Sequence, residues 1–441
     1  MGVKIVEASS VNAGDSETLD TKVMEFAEQC LAKVKAEGAP AVYAYAGQFG
    51  ELTEGQSAVV DKAAMKAAYD GLDADDRACL EACGARIKAF ALAQKASFVD
   101  METPIPGGVA GHTVSPVEVA GCYAPGGRYP LPSSVLMTAV TARAAGVKTV
   151  VVATPKPLPV TLAAAHVAGA DVLVAVGGAH AIAAMATGAL AEEGVPRADV
   201  LCGPGNAWVT AAKACAATSA RVGIDMIAGP SEVLVICDET ADAATVAADM
   251  LAQAEHDVVA RPIVVAFSSD GSGKAGALKM VAKINAALDA QLENLPTKAV
   301  AAPACARGFA VACESVDEAL RVSDAVAPEH LEVICENERA VADRCNHYGG
   351  LFVGSRSAEV MGDYGIGPNH TLPTSGTARY TGGLCVMDFL RIRTWMRIDD
   401  GPASQCAVRD AVRLARIEGL EGHARAAEAR LLPPPAKKQK V

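Results

Sequence analysis

The sequence predicts an α/β chain built on parallel sheets, and three observations carry that reading. Strand-like and helix-like segments alternate: KTVVVATP, VTLAAAHVAGA, DVLVAVGG and HAIAAMATGAL follow one another from Lys148 to Leu190. A second run repeats the pattern, with SEVLVIC, an alanine-rich helix through Gln253 and then PIVVAF. The composition is 51% hydrophobic but only 4% aromatic, which suits helices packed closely on parallel strands better than a β-sandwich. At 441 residues the chain is long enough for two or three domains. Two similar α/β halves fit, and no short-period repeat is present.

In chain order, apolar residues recur at helical spacing from Asp20 to Gln94, with Gly38 and Gly71 as breaks, so the opening segment is helical. Pro104 to Pro130 carries the glycine and proline punctuation of turns around short extended pieces. The two alternating regions follow, fading beyond Gly349 into glycine-rich loops. Val408 to Leu432 reads as one helix with Arg and Glu on its polar face. The final PPPAKKQKV reads as an unstructured basic tail, with a nuclear address as the alternative.

Charge and cysteines narrow the function. A net charge of −12 argues against a nucleic-acid groove or an anionic membrane surface as main partner and makes a small molecule the better default. No apolar run reaches the roughly 18 residues of a spanning helix, and MGVKIVEASS lacks a signal-type hydrophobic region, so a soluble, intracellular (cytoplasmic) protein is expected. Thirteen dispersed cysteines without a C-x-x-C pair read as reduced thiols, the closest being Cys79 and Cys83. Any metal site must therefore use His, carboxylate and amide ligands.

Polar residues inside apolar surroundings are the candidate site. In LAQAEHDVVA, Gln253 and His256 are three apart and on a helix would share a face, as two ligands of a borderline metal could. An ordinary polar helix end is the alternative. Glu329 and His330 in APEHLEV are an adjacent carboxylic acid and imidazole, a combination that can move protons. Asp363, Asn369 and His370 share the glycine-rich MGDYGIGPNHTLPT, and His423 closes EGLEGH after Glu418 and Glu421. His166 reads as structural, and His112 and His347 have no polar cluster beside them. Turns at Tyr123 (YAPGGR), Val176 (VGGAH) and Cys202 (CGPGNAW) could approach a phosphate. The dinucleotide fingerprint is absent, because Trp208 stands where its third glycine belongs.

Taken together, YAPGG, LPSSVLMTAV, VGGAHAIAAMATG, GPGNAWV, IDMIAGPSEVLV, AQAEHD, PEHL, GDYGIGPNHTLPT and EGLEGH run collinearly along nearly the whole chain and resemble the histidinol dehydrogenase family. The resemblance implies two related, incomplete Rossmann-like domains with a helical C-terminal dimerisation extension. The boundaries expected are an arm over 1–24, a first domain from 25–122 and 232–382, a second over 123–231, the extension over 383–432 and a tail over 433–441. It also implies one Zn2+ per subunit, held by Gln253, His256, Asp363 and His423 of the partner subunit, in a homodimer that shares its active sites. Glu329 and His330 would be the catalytic acid/base pair. The metal ligands, with Ser231, His370 and Glu418, would border substrate, while Tyr123 and Asn206 would contact NAD. His180 stands where such enzymes commonly carry a glutamine near the cofactor.

The implied reaction is NAD-linked, four-electron oxidation of a primary alcohol through an aldehyde to a carboxylate, with L-histidinol to L-histidine as the first substrate reading. The segments GGRYPL and ARYTGGL resemble a paralogous branch acting on other alcohols, so 2,3-dihydroxypropane-1-sulfonate is the alternative. In that case Arg128 and Arg379 would meet the anionic head group; otherwise they are surface or interface arginines. A zinc hydrolase and a catalytically silent binding protein are the readings from other classes.

Overall fold

The computed structural model describes residues 2–12, 20–126 and 129–433 and divides into two units. The larger, residues 1–95 and 117–389, contains two six-stranded sheets. One is ordered Val59–Val60, Val172–Val174, Thr149–Ala153, Val119–Tyr123, Val200–Cys202, Gly223–Ile224. The other is ordered Lys4–Val6, Phe309–Ala312, Arg261–Ala266, Glu232–Cys237, His330–Ile334, Gly350–Val353. Every pairing is parallel except that of the Val59–Val60 edge strand. Numbered from Val119–Tyr123 in the first sheet and Glu232–Cys237 in the second, both run 3-2-1-4-5, and each gains an outer strand from the N-terminal part of the chain. The order reverses between strands one and four, where a doubly wound sheet opens a crevice at its carboxyl edge.

The strands read as unbroken apolar runs because helices cover both faces. In the second sheet Val233, Val235 and Val264 face one cluster with Val246, Met250 and Ile284, while Leu234, Ile236 and Val265 face another with Leu320 and Val333. Helix Pro132–Ala145 is buried along most of its length, starts on a proline whose missing N–H costs nothing there, and ends at Gly146 in the left-handed conformation. The expected break at Gly38 is real: with φ +69 it ends helix Thr21–Glu37 and precedes Ala39–Gln48. The Val59–Val60 strand inside this helical opening is a departure from expectation; two residues are too few to show a period.

Asp171 ties three elements of the first sheet together. It ion-pairs with Lys62 at 2.7 Å and with Arg143, and accepts the Val150 N–H at 2.8 Å. Burial alone would raise its carboxyl, but Lys62, the Val150 N–H and Arg143 hold it below the usual range. The stabilisation is therefore complete above the ordinary carboxylate range and disappears as pH falls through the depressed native value. Asp171→Ala is expected to cost about 1–3 kcal/mol at neutral pH. Denaturant titrations should show that difference shrinking toward pH 3.

The smaller unit, residues 96–116 and 390–441, differs from the expected helical extension. Leu390–Ile398 is a strand paired antiparallel with Gly108–Pro116, which pairs in turn with Met101–Ile105. Residues 96–116, expected in the first domain, thus belong with the C-terminal segment. The long helix is two: Gly401–Ile417, capped by Asp400 on the Ala403 N–H at 3.0 Å, and Glu421–Glu428. Gly419 at φ +77 separates them. His112 Nε2–H donates to Val99 O at 2.9 Å within this unit, a structural role. No helix among the described residues is long and apolar enough to cross a membrane. The basic tail from residue 434 lies outside the described residues.

Candidate active site

Four segments of the larger unit converge at the start of strand His330–Ile334. Helix Ala243–Ala254, capped by Asp242 on the Thr245 N–H at 3.1 Å, delivers Gln253 buried in its last turn. It ends at Ala254, so His256 does not share a helical face with Gln253 as expected; it follows the terminus, and its side chain is 42% exposed. The strand supplies His330, preceded by Glu329. The short helix Glu359–Asp363 supplies both of its end residues, and the loop after it supplies His370.

Asp363 is the centre of this group. Its carboxylate lies 3.6 Å from His256 Nε2, 3.8 Å from His330 Nε2 and 3.8 Å from His370 Nδ1. Burial would raise it, yet the His256 imidazole, with His330 and His370, holds it at about 2, so it is ionised. Asp363 in turn draws His256 upward, whereas burial lowers His330 and His370 and keeps both neutral. His370 is fixed through Nδ1, 3.1 Å from Asp363 O, and stands 3.4 Å from Ser134 Oγ. Asn369 anchors the same loop by donating to Met137 O at 2.9 Å.

His330 is oriented for proton transfer. Its Nδ1–H donates to Glu232 O at 3.1 Å, which leaves the lone pair on Nε2, buried and without a hydrogen-bond partner. A lone pair turned toward a carboxylate at 3.8 Å is unfavourable unless a proton donor or a cation comes between them. Glu329 Oε2 accepts the Glu232 N–H at 2.8 Å, and burial pushes its carboxyl well above the usual range, so it holds a proton. One backbone residue, Glu232, thus aligns both members of the pair.

A further set of buried acids surrounds them and was not singled out in the sequence. Glu359 is fully buried and raised chiefly by desolvation; Glu332 is raised to about 8 by burial and Asp249, and Glu232 to about 7 by burial against the opposing pull of Arg261. Glu332 accepts the Glu359 N–H at 2.7 Å and so locates the helix carrying Asp363. The Gln253 amide nitrogen donates to Glu359 Oε2 at 3.1 Å and stands 3.2 Å from His330 Nδ1.

These residues suit a divalent cation in part. Two ligands of a tetrahedral zinc stand about 3.4 Å apart, since Zn–N and Zn–O bonds are about 2.0–2.2 Å. His256 Nε2 and Asp363 Oδ2, at 3.6 Å, have that separation, longer than a good hydrogen bond. Among the described residues no three His, Cys, Asp or Glu side chains are gathered closely enough to hold an ion. The larger unit therefore offers an imidazole, a carboxylate and the Gln253 amide oxygen. Glu418 and His423 lie exposed in the smaller unit.

The other candidates fall elsewhere. Ser231 precedes strand Glu232–Cys237 and accepts the Arg261 N–H through its carbonyl at 2.9 Å. At the carboxyl edge of the first sheet, Tyr123 ends strand one, and its hydroxyl accepts the Gly178 N–H at 3.1 Å. Burial pushes that phenol up to about 12. Asn206 caps helix Ala207–Cys215, accepting from Trp208 and Val209 N–H at 3.1 and 3.2 Å, which leaves its amide nitrogen as a free-facing donor type. His180 is buried, stacks on Phe49 and Tyr45, and meets Glu51 at 2.7 Å. Arg379 gives its guanidinium to the carbonyls of Asp324 and Ala325, the latter at 3.0 Å. Arg128 lies outside the described residues.

Residues 14–431 match the family model described as histidinol dehydrogenase. The chain is 41% identical to histidinol dehydrogenase of Ralstonia nicotianae, covering 93% of this chain and 92% of the relative. It is also 41% identical to that of Thermus thermophilus, covering 94% and 96%. The crystal structure of histidinol dehydrogenase from Elizabethkingia anophelis superposes with a TM-score of 0.87 at 29% identity, covering 97% of this chain and 98% of that one.

Proposed function

The chain belongs to the histidinol dehydrogenase family, and from that premise we propose that it oxidises L-histidinol to L-histidine, with two equivalents of NAD and one zinc per subunit. The observation that carries the chemistry is the buried, unpartnered Nε2 of neutral His330 facing the ionised Asp363. The relatives named above are histidinol dehydrogenases, and Arg379 is committed to backbone carbonyls, so the described residues do not favour the sulfonated diol.

Bound zinc would polarise and orient the substrate, and NAD would accept a hydride in each half of the cycle. Gln253, His256 and Asp363 are the ligands proposed from one subunit, with His423 reaching in from a second copy together with Glu418, whose carboxylate suits the substrate ammonium. Met396, Leu414 and Ile417 are exposed apolar side chains of the smaller unit, which fits such a partner. His330 Nε2 takes the hydroxyl proton as the alcohol becomes an aldehyde. Glu329, ionised once positive charge in the pocket has driven its proton to solvent, takes a proton from the water that adds to that aldehyde, while His330 returns the proton it holds to the aldehyde oxygen and is free again. The resulting diol then loses its second hydride, and a proton leaves again through His330. Ser231 and His370 border the substrate in this reading.

For the cofactor, Tyr123 and the Gly203–Asn206 turn stand where the first sheet reverses its strand order, the place at which doubly wound sheets bind dinucleotides. We read both sheets as related Rossmann-like halves on the strength of their shared 3-2-1-4-5 order. His180 is expected to act through Glu51 and the Gly177–Gly178 turn.

The test is the absorbance of reduced nicotinamide with zinc-loaded protein, offered L-histidinol or 2,3-dihydroxypropane-1-sulfonate. Turnover of histidinol is expected. Turnover of the sulfonate with none of histidinol would overturn the assignment.

A further inference from the structure

Lys213 and Asp225 form an ion pair whose side chains are 1% and 0% exposed, far from the acid/base pair in sequence and unused by the chemistry above. A pair this deeply buried is a poor source of stability, since the desolvation of both charges offsets their attraction. Its contacts suggest another purpose. Lys213 Nζ donates to Asp225 Oδ1 at 2.6 Å and to Gly203 O at 2.9 Å; Asp225 Oδ2 accepts the Gly203 N–H at 2.8 Å, and Oδ1 accepts the Met226 N–H at 2.7 Å. The pair thus holds both backbone polar groups of one glycine.

That glycine admits no side chain. Gly203 has φ +119, and a β-carbon there would lie 2.0 Å from Tyr123 O. The turn it begins crosses against the end of the Tyr123 strand and runs into Asn206, the cap of helix Ala207–Cys215. Lys213 rises from that same helix, so the ion pair closes a loop from helix to turn to the strand following Arg221. Such a turn, left alone, has several accessible conformations because glycine permits them. Charged partners on both sides of its peptide select one.

We propose that Lys213 and Asp225 are positioning residues for the dinucleotide, fixing the Gly203–Asn206 turn so that Asn206 and Tyr123 present a preformed cofactor surface. This rests on the reading above that those two residues border the cofactor. NAD affinity should therefore depend on the pair, while the alcohol and metal subsites should not.

The test is calorimetric titration of NAD into zinc-loaded full-length protein, with histidinol titrated separately in the absence of NAD. Lys213→Met is expected to raise the Kd for NAD by at least about tenfold, and to leave histidinol affinity within about twofold. Asp225→Asn keeps the shape and serves if Lys213→Met does not fold. In steady state the effect should appear in KM for NAD, with kcat at saturating NAD largely kept. An unchanged NAD affinity in a folded variant, or an equal loss of NAD and histidinol binding, would overturn the proposal. Asn206→Ala and Tyr123→Phe are run beside it. Should both leave NAD affinity untouched, the location of the cofactor fails; should they weaken it while the ion-pair variants do not, only the positioning role fails.

Discussion

Replacing His330 by asparagine is expected to lower kcat by about 10²–10⁴-fold, the usual contribution of a general base, while leaving zinc content and fold intact. Asparagine places an amide N–H near the position of Nδ1, so the donation to Glu232 O is kept. What disappears is Nε2, the buried atom with no partner in the resting protein. His330 is one of three imidazoles that hold Asp363 ionised, and His256, which lowers it most, remains. A variant that keeps wild-type kcat would remove His330 from the chemistry. Fold is checked by thermal denaturation, which should shift little, and metal content by elemental analysis.

Asp363→Ala is expected to have the second large effect, and its signature is different. This carboxylate is the only strongly ionised group of the cluster, held at about 2 while Glu329, Glu332 and Glu359 are pushed upward by burial. It is therefore the one anion available to hold a dication without first losing a proton. Removing an outer-shell partner of a metal commonly costs about 10–100-fold in affinity, so removing this direct carboxylate should cost at least that. Zinc content after gel filtration should fall from roughly one per chain toward none, with activity partly restored by added zinc. Full zinc retention in the variant would exclude Asp363 as a ligand. His330→Asn retains metal and loses turnover; Asp363→Ala loses both.

Much of the fold was legible because parallel strands covered on both faces leave an unmistakable trace. VVVA, VLV, EVLVIC and PIVVA are short apolar runs bounded by glycine, proline or acidic caps, and each became a strand of the two doubly wound sheets. The C-terminal region was misread for physical reasons. Leu390–Ile398 alternates arginine with apolar residues as a strand does, but its pairing partner lies some 280 positions earlier in the chain, so the sheet it joins is not visible locally. Gly419 looked tolerable within a helix, yet φ +77 makes it a break.

The site was legible where chemistry depends on residue type and illegible where it depends on burial. Gln253, His256, Glu329, His330, Asp363 and His370 could be singled out because histidines and amides are scarce in these apolar surroundings. Their mutual distances could not, and neither could the end of the helix at Ala254 that takes His256 off the face of Gln253. Glu232, Glu332 and Glu359 escaped notice because a buried carboxyl has the same letter as a solvated one. Lys213 sits in an alanine-rich helix where a lysine reads as a surface residue, and only the position of Asp225 shows that its charge is enclosed.

The most direct measurement is the number of reduced nicotinamides formed per histidinol consumed. If His330 and Glu329 serve two successive oxidations of one retained substrate, the ratio is about two, histidine is the product and no aldehyde accumulates. A ratio near one with free aldehyde in solution would contradict the account, because it would leave the water-activating role of Glu329 without a reaction to serve.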